Sequence, residues 1–345
     1  MLKKFTIACL LCFLVFGYAG GAFAAKTIKV AINVPSEHHL AQAQQWFKKQ
    51  IEERTNGAFK VDCIDSFKFG NHEALVQGLQ MGVLAMIFET TSLLSVYSPT
   101  LMLFDLPYLI PSWEAADLII DGPVGAKMAK DLERLGLVPM GYVENGFRQL
   151  IVNRPVRKLE DNRGMKIRST PSKIHIASLK SIQANPTPLA WPEVTTALQQ
   201  KTVDGVDIDV NMGWYFRFVD YAKFITMSRH IYTPLNVVFG KKFWDTLTPE
   251  HKKIFEEVTA AMIKEQRKTV RQGEIMYRER MIKEMGVEFI DLSSEELARW
   301  AEKACDVGME FKDTVPLEAA QEIVDAIKAA GLYPKGWPVC RFVKK

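Results

Sequence analysis

The sequence predicts an α/β protein whose mostly parallel sheets are flanked by helices and divided between two lobes. Short strand patterns alternate with helix patterns along most of the chain, as in consecutive βαβ units. Cleavage after Ala24 would leave 321 of the 345 residues, more than the roughly 250–300 residues at which single cores stop growing. A helix pattern from Thr248 to Met285, about 50 Å long, exceeds one lobe and should touch both.

The first half of the chain contains the clearest alternation. Residues 27–34 alternate apolar and polar side chains before turning apolar, as a sheet strand does. A helix should follow, because Trp46, Phe47 and Ile51 recur on one face. The same reasoning predicts strands at 59–64, 84–88 and 137–143, and helices at 37–54, 73–81, 113–120 and 125–135.

The pattern restarts after Gly146. It predicts strands at 148–153, 165–169 and 203–209, helices at 173–182, 192–200 and 213–221, and a β-rich run at 230–240 that returns to the first lobe.

The long helix has a clear start, because Thr248 suits the N-cap and Pro249 the first helical position. Gly273 interrupts it at a cost of about 1 kcal/mol relative to alanine, and Gly286 ends it. A capping box at 293–296 precedes helices at 295–314 and 317–330.

The N-terminus predicts export. Residues 1–4 are basic, residues 5–16 form an apolar run, and Ala22 and Ala24 are small residues at the positions that a signal peptidase reads. The run is shorter than the roughly 20 residues needed to span a bilayer. We therefore expect residues 1–24 to be a cleaved signal peptide and the mature protein to be periplasmic.

The charge, the cysteines and the absence of known motifs limit the classes of function that the sequence supports. Removing Lys3 and Lys4 lowers the formal charge from +4 to +2, and the scattered basic residues give no reason to expect nucleic-acid binding. Cys63 is expected in the core, and a Cys305–Cys340 bond is possible although spacing cannot establish it. No metal-ligand spacing, nucleotide-binding loop or catalytic template occurs. We therefore expect no metal, no cofactor and a binding protein in preference to an enzyme.

Arg168 is the strongest candidate for contact with an anion, and Arg148 is the second. Guanidinium offers two parallel N–H donors that match a carboxylate. Arg168 lies near the end of a predicted strand, and open α/β sheets bind ligands in the crevice at the carboxyl ends of their strands. The alternative is an ordinary surface ion pair with an acidic residue.

Several further residues have two interpretations each. Trp191 is either an apolar wall of the pocket or a core aromatic. His38 and His39 precede a helix whose free N–H groups suit an anion. The alternative for these histidines and for His72 is a position in a solvated loop. Trp214 either lines the cleft or packs between helices.

Four spaced segments carry a family resemblance: GFR at 146–148, DNRGMKIR at 161–168, ANPTPLAWPEV at 184–194 and ALQQKTVDG at 197–205. In these segments the chain resembles the solute-binding proteins of TRAP transporters, the DctP family. The resemblance implies a two-lobed periplasmic-binding-protein-like fold with lobes at 25–145 plus about 234–273 and at 146–233 plus about 274–345. It also implies closure around a ligand and docking of the closed form on membrane permease subunits.

The resemblance also implies roles for residues. The arginine at the Arg168 position grips the carboxylate of an organic acid, an aromatic wall is favoured for Trp191, and Phe88 and Glu89 lie where the family places ligand-facing groups. The chain departs from the family at 206–209, where Ile208 occupies the place of an asparagine. Such a pocket is less polar, while Asp207 or Asp209 could accept a hydrogen bond from the ligand. This departure argues against a plain C4-dicarboxylate.

The prediction is therefore an extracytoplasmic receptor, monomeric by default, that binds a small organic acid between its lobes and delivers it to a TRAP-type transporter. The alternative is an exported enzyme on a similar scaffold, in which Arg168 holds an anionic substrate and Asp207, Glu89 or a histidine acts as base.

Overall fold

A computed structural model describes residues 25–340 and Phe342, so the predicted signal peptide lies outside the described residues. The strands are β1 Lys26–Ala31, β2 Phe59–Ile64, β3 Met86–Thr90, β4 Leu137–Phe147, β5 Gln149–Val152, β6 Lys166–Ser169, β7 Asn185–Pro188, β8 Gly205–Ile208, β9 Phe224–Met227, β10 Tyr232–Gly240 and β11 Glu288–Asp291.

The α-helices alternate with these strands. They are α1 His39–Arg54, α2 His72–Met81, α3 Thr91–Leu94, α4 Trp113–Ile120, α5 Pro123–Lys130, α6 Lys173–Ser181, α7 Val194–Gln199, α8 Val210–Tyr215, α9 Lys241–Trp244, α10 Pro249–Met285, α11 Ser294–Ala304, α12 Val307–Glu310 and α13 Leu317–Ala329. Short 3₁₀ turns occupy Pro99–Asp105, Asp131–Leu135, Leu159–Asn162, Trp191–Glu193 and Phe218–Asp220.

The strands form two sheets, and the predicted two-lobed α/β fold is confirmed. The first sheet has the order β2-β1-β3-β10-β4 and the second the order β11-β9-β5-β8-β6-β7. Within the described chain, five strand pairings are parallel and four are antiparallel. All four antiparallel pairings involve β5 or β10, the strands that adjoin the crossings between the lobes. There, the amide N–H of Arg148 donates to the carbonyl of Ile231 at 2.8 Å.

The long helix α10 packs against both lobes, as its length predicted. It contacts α1 and β4 of the first lobe and α8 of the second. Its N-cap is the predicted one, because the Thr248 hydroxyl accepts from the backbone N–H of His251 at 3.2 Å. Gly286 follows its last residue in the left-handed conformation, which glycine adopts without strain.

Gly273 has a packing role that its helix propensity does not indicate. A Cβ atom at this position would lie 2.4 Å from the side-chain oxygen of Asn211 on α8. The amide nitrogen of Asn211 donates to the carbonyl of Val270 at 3.3 Å. The glycine therefore lets α8 approach α10 closely at the join between the lobes.

Several element boundaries differ from the sequence prediction for local reasons. The helix expected at 213 begins at Val210, because the carboxylate of Asp209 caps it by accepting from the N–H of Met212 at 2.9 Å. Ser293 caps α11, but the Glu296 carboxylate accepts from the Leu159 N–H at 3.3 Å instead of completing the capping box. The strands β7, β9 and β11 were not predicted as strands.

The C-terminal region completes the first lobe's outer layer. A disulfide joins Cys305 and Cys340, while Cys63 is a free, half-buried thiol. Helix α13 packs on α4 and α5, beside the first sheet, although the sequence analysis grouped this segment with the second lobe; the domain boundaries remain a prediction. None of the helices in the described part of the chain combines the length and apolar character needed to cross a bilayer.

Candidate functional site

Arg168 lies on β6 and is 2 % exposed. Its Nε and Nη2 donate to the carbonyl of Leu189 at 3.2 and 2.8 Å. Nη1 is buried and has no hydrogen-bond partner in the described chain. These contacts exclude the surface ion pair that the sequence left open, and they leave the two N–H bonds of Nη1 without an acceptor in the described chain.

The charge of Arg168 survives its burial. Desolvation, and to a lesser extent the nearby positive charge of Arg148, lower the pKa of Arg168 to about 9. The side chain is therefore still protonated at neutral pH. An uncompensated buried cation is costly, so this position favours an anionic partner.

Trp191 lies next to this guanidinium, with the centre of its ring 5.3 Å from the Arg168 Cζ. The ring is half-buried and is fixed by edge contacts to Phe216 and Phe218, with centroids 4.8 and 5.7 Å away. Leu189, which holds Arg168, is two residues before Trp191 in the chain. The 184–194 segment thus supplies both an anchor for the arginine and an aromatic surface beside it.

Arg148 is engaged within the protein. Its Nε donates to Asp207 Oδ1 at 2.7 Å, and its Nη2 donates to the Asp207 carbonyl. His230 Nε2 lies 3.1 Å from the same carboxylate oxygen. Burial disfavours ionisation of Asp207, but Arg148 and His230 hold its pKa below the ordinary value. The structure therefore brings Arg148 close to Arg168 but pairs it with Asp207, whose Oδ2 has no partner in the described chain.

The first lobe contributes a different set of groups. Glu89 is the penultimate residue of β3. Its Oε2 lies 2.7 Å from His72 Nδ1, and its Oε1 accepts from the Thr90 N–H at 2.8 Å. Although burial opposes protonation, the Glu89 carboxylate raises the pKa of His72, and the Arg168 charge acts in the opposite direction. Asn236 is paired with Glu89 across β3 and β10. Both amide atoms of Asn236 are buried without a partner.

Three other candidate site residues pack against neighbouring side chains. Phe88 alternates with Glu89 along β3 and is buried in the apolar cluster on the other face of the sheet. Ile208 is buried in the same cluster as Val206. Trp214 stacks on Tyr277 of α10 at 5.1 Å and carries the Arg280 guanidinium 4.3 Å from its ring, which is a helix-packing position.

The solvated-loop interpretation of His38 and His39 is wrong. His38 is fully buried and His39 is 2 % exposed, because α10 and α8 cover them. Gln266 of α10 lies 3.0 Å from His39 Nδ1, and the Tyr215 ring of α8 lies 4.7 Å from that of His38. Asn33, which follows β1, is also buried with both amide atoms unpartnered in the described chain.

Sequence reasoning did not select Asn236 or His230 as site residues. Asn236 lies in a strongly apolar strand, where an isolated amide is the signal that could have found it. His230 has no local signal, because its partner Asp207 is 23 residues away in the sequence.

Residues 30–313 match the family model described as "Bacterial extracellular solute-binding protein, family 7", DctP. The chain belongs to this family. Its resemblance to the solute-binding proteins of TRAP transporters is thereby confirmed.

Three relatives illustrate the family. The 2,3-diketo-L-gulonate-binding periplasmic protein of Escherichia coli is 31% identical over 79% of this chain and 83% of its own. The sugar acid binding protein of Advenella mimigardefordensis, solved with galactonate, is 29% identical with a TM-score of 0.84, over 89% of this chain and 99% of its own. A TRAP periplasmic solute-binding protein of Polaromonas sp. JS666, bound to D-erythronate, is 25% identical with a TM-score of 0.80, over 86% and 98%.

Proposed function

We propose that this DctP-family protein is an extracytoplasmic receptor for a sugar acid, a carboxylate with a hydroxylated carbon chain, which it delivers to a TRAP-type transporter. The observation that carries the proposal is the buried Arg168, whose Nη1 has no partner in the described chain. A ligand carboxylate placed there supplies the missing acceptor and the missing charge. Trp191, beside the guanidinium, would cover the adjoining carbon atoms.

The charges of the site favour a single carboxylate. Arg148 is already paired with Asp207, which leaves Arg168 as the cation available to the ligand. The opposite side presents Glu89, a buried carboxylate that lies 2.7 Å from the His72 ring. A second ligand carboxylate next to Glu89 would suffer repulsion in a poorly solvated place.

The hydrogen-bonding groups of the first lobe suit hydroxyl groups. Glu89 accepts hydrogen bonds, and the amides of Asn236 and Asn33 both donate and accept. These amides are buried and unpartnered in the described chain, which costs free energy unless a ligand or water bonds them. The relatives bound to galactonate and D-erythronate, and the relative named for 2,3-diketo-L-gulonate, support this ligand class.

We further propose that the mature protein is periplasmic, acts as a monomer and presents its closed form to the permease. The signal sequence and the family support this part of the proposal. The enzyme alternative loses one of its candidate bases, because Arg148 and His230 lower the pKa of Asp207, and a less basic carboxylate is a poorer proton acceptor.

Calorimetric titration of the refolded, ligand-stripped mature protein with D-galactonate tests the proposal. Arg168→Ala should weaken binding by about 100-fold, because it removes a buried charge-assisted contact. Arg163→Ala is the matched control, since Arg163 lies on the exposed surface of the same segment. Equal affinity of Arg168→Ala and the wild type would refute the role of Arg168.

The same ligand separates receptor from enzyme. NMR spectra of D-galactonate incubated for a day with the protein should be unchanged for a receptor. Conversion that depends on the protein would support the enzyme alternative.

A further inference from the structure

Two adjacent histidines, His38 and His39, lie where the lobes meet. They begin α1 directly after the loop that follows β1 of the first sheet. Their rings are 4.0 Å apart, and the Tyr215 ring of α8, in the second lobe, lies 4.7 Å from His38 and 6.2 Å from His39. The pair is therefore covered by both lobes at once.

The hydrogen bonds of His38 fix its tautomer. Its Nδ1 accepts from the backbone N–H of Leu40 at 3.2 Å, which caps α1. A neutral imidazole that accepts at Nδ1 carries its proton at Nε2. His38 therefore presents an N–H donor at Nε2.

His39 has the same tautomer for a different reason. Its Nδ1 lies 3.0 Å from Gln266 Nε2. The orientation of the Gln266 amide is fixed by Glu144, whose N–H donates to Gln266 Oε1 at 3.0 Å and whose carbonyl accepts from Nε2 at 2.7 Å. An amide nitrogen only donates, so His39 Nδ1 accepts and its proton is at Nε2.

Both donors stay neutral and unpaired within the described chain. Burial lowers the pKa of His38 well below its ordinary value, with a contribution from His39, and burial lowers the pKa of His39 to about 3. The Nε2 atoms of both rings are buried without a hydrogen-bond partner. A buried N–H without an acceptor is destabilising, so each ring needs an oxygen atom that the described residues do not supply.

We propose that His38 and His39 determine specificity by donating hydrogen bonds from Nε2 to hydroxyl or keto oxygens on the carbon chain of the bound acid. This inference rests on the proposed sugar-acid function. Arg168 would bind the carboxylate of the ligand. The two neutral imidazoles would bind the oxygen atoms on the ligand's other carbon atoms. Neutral donors do not offset a second negative charge, so the pair favours hydroxylated chains over dicarboxylates.

The test uses two acids of equal length in calorimetric titrations. D-galactonate and hexanoate both have six carbons, but only galactonate carries hydroxyl groups. The variants are His38→Asn and His39→Asn, because the asparagine oxygen reaches the place of Nδ1 and keeps the bonds to Leu40 and Gln266. Each should weaken galactonate binding by about 10-fold and change hexanoate binding by less than about 2-fold.

Two further variants complete the design. His39→Gln, whose amide nitrogen reaches the place of Nε2, should recover most of the galactonate affinity. His251→Asn, on the first turn of α10 and packed against Phe59, is the control and should leave both affinities unchanged.

Each remaining outcome has a definite meaning. Unchanged galactonate affinity in both asparagine variants would overturn the inference, and so would an equal loss for both acids, which indicates a structural role. Neither result contradicts the proposed sugar-acid receptor function if the wild type binds galactonate and Arg168→Ala weakens that binding. Failure of the wild type to bind galactonate would overturn the proposed function and this inference with it.

Discussion

The two sides of the interlobe site differ in how their polar groups are satisfied. On the second lobe, Arg148 and Asp207 form a buried ion pair, His230 contacts the same carboxylate, and Arg168 is left with a buried charge. On the first lobe, Asn33, Asn236 and the histidine pair are uncharged, and each has buried atoms without a partner in the described chain. The second lobe therefore offers a cation, whereas the first lobe offers neutral hydrogen-bonding groups beside the His72–Glu89 pair.

This difference suggests that the two lobes contribute differently to ligand recognition. A carboxylate group is common to all organic acids, and a single fixed cation suffices to hold it. Hydroxyl groups distinguish one acid from another. A site whose neutral donors and acceptors bind a hydroxyl group is left with unpaired buried atoms when the ligand lacks that group. Such a site therefore discriminates between acids. On this view, the second lobe contributes affinity and the first contributes selectivity.

The largest effect on stability should come from removing the negative charge that compensates Arg148 in the second lobe. Asp207→Asn leaves Arg148 as an uncompensated buried charge, and we expect the free energy of unfolding to fall by about 3–5 kcal/mol. Urea denaturation monitored by tryptophan fluorescence measures it. Asp220→Asn is the matched control, because its exposed pair with Arg217 should contribute less than about 1 kcal/mol. Equal stabilities of the two variants would show that the Arg148–Asp207 pair is not what maintains this side.

A second substitution tests selectivity on the first lobe. Glu89→Gln removes the carboxylate that opposes a second negative charge, so D-galactonate should bind about 10-fold more weakly while succinate gains affinity. Calorimetric titration with both acids measures the change in their ratio. Glu73→Gln, exposed on helix α2 next to His72, is the control. A parallel loss for both acids would break the proposed division between the lobes.

Much of the fold could be predicted from the sequence, because hydrophobic periodicity and caps are local signals. The long helix was predicted with its observed last residue, since Thr248, Pro249 and Gly286 mark its ends. Strands such as β7 escaped detection because they are four residues long and, in this case, contain two prolines. Proline lacks an N–H donor, and β7 lies at the edge of the second sheet, where this donor is not needed.

The site was predictable only in part. The strand-end position and the family resemblance selected Arg168 and Trp191, which the structure places together. The neutralisation of Arg148 was not predictable, because its partner is 59 residues away in the sequence. The burial of His38 and His39 was missed for the same reason, since it depends on Tyr215 and Gln266.

A smaller effect on stability is expected from a substitution where α8 packs on α10, at the join between the lobes. Alanine normally stabilises a helix relative to glycine by about 1 kcal/mol. At Gly273 the added Cβ would meet the buried Asn211 oxygen, so Gly273→Ala should instead destabilise the protein by roughly 1–3 kcal/mol. Thermal unfolding of the single variant and of Gly273→Ala/Asn211→Ala measures the effect. Recovery in the double variant supports the close approach of α8, whereas a stabilised single variant contradicts it.

The smallest effect concerns the pair of His72 and Glu89 on the first-lobe side of the site. Glu89 raises the pKa of His72 above the value of about 6.5 that it has in the unfolded chain. The resulting stabilisation is complete below about pH 6.5 and is lost as the pH rises through the folded-state pKa.

The free energy of unfolding of the wild type should therefore fall, relative to His72→Gln, between pH 6 and pH 8 or above, by less than the Asp207→Asn effect. Urea titrations across this range measure it, with His251→Gln as the control. A difference independent of pH would show that His72 contributes packing alone. The first lobe would then recognise its ligand without any charge that titrates near neutral pH, which would sharpen the contrast with Arg168.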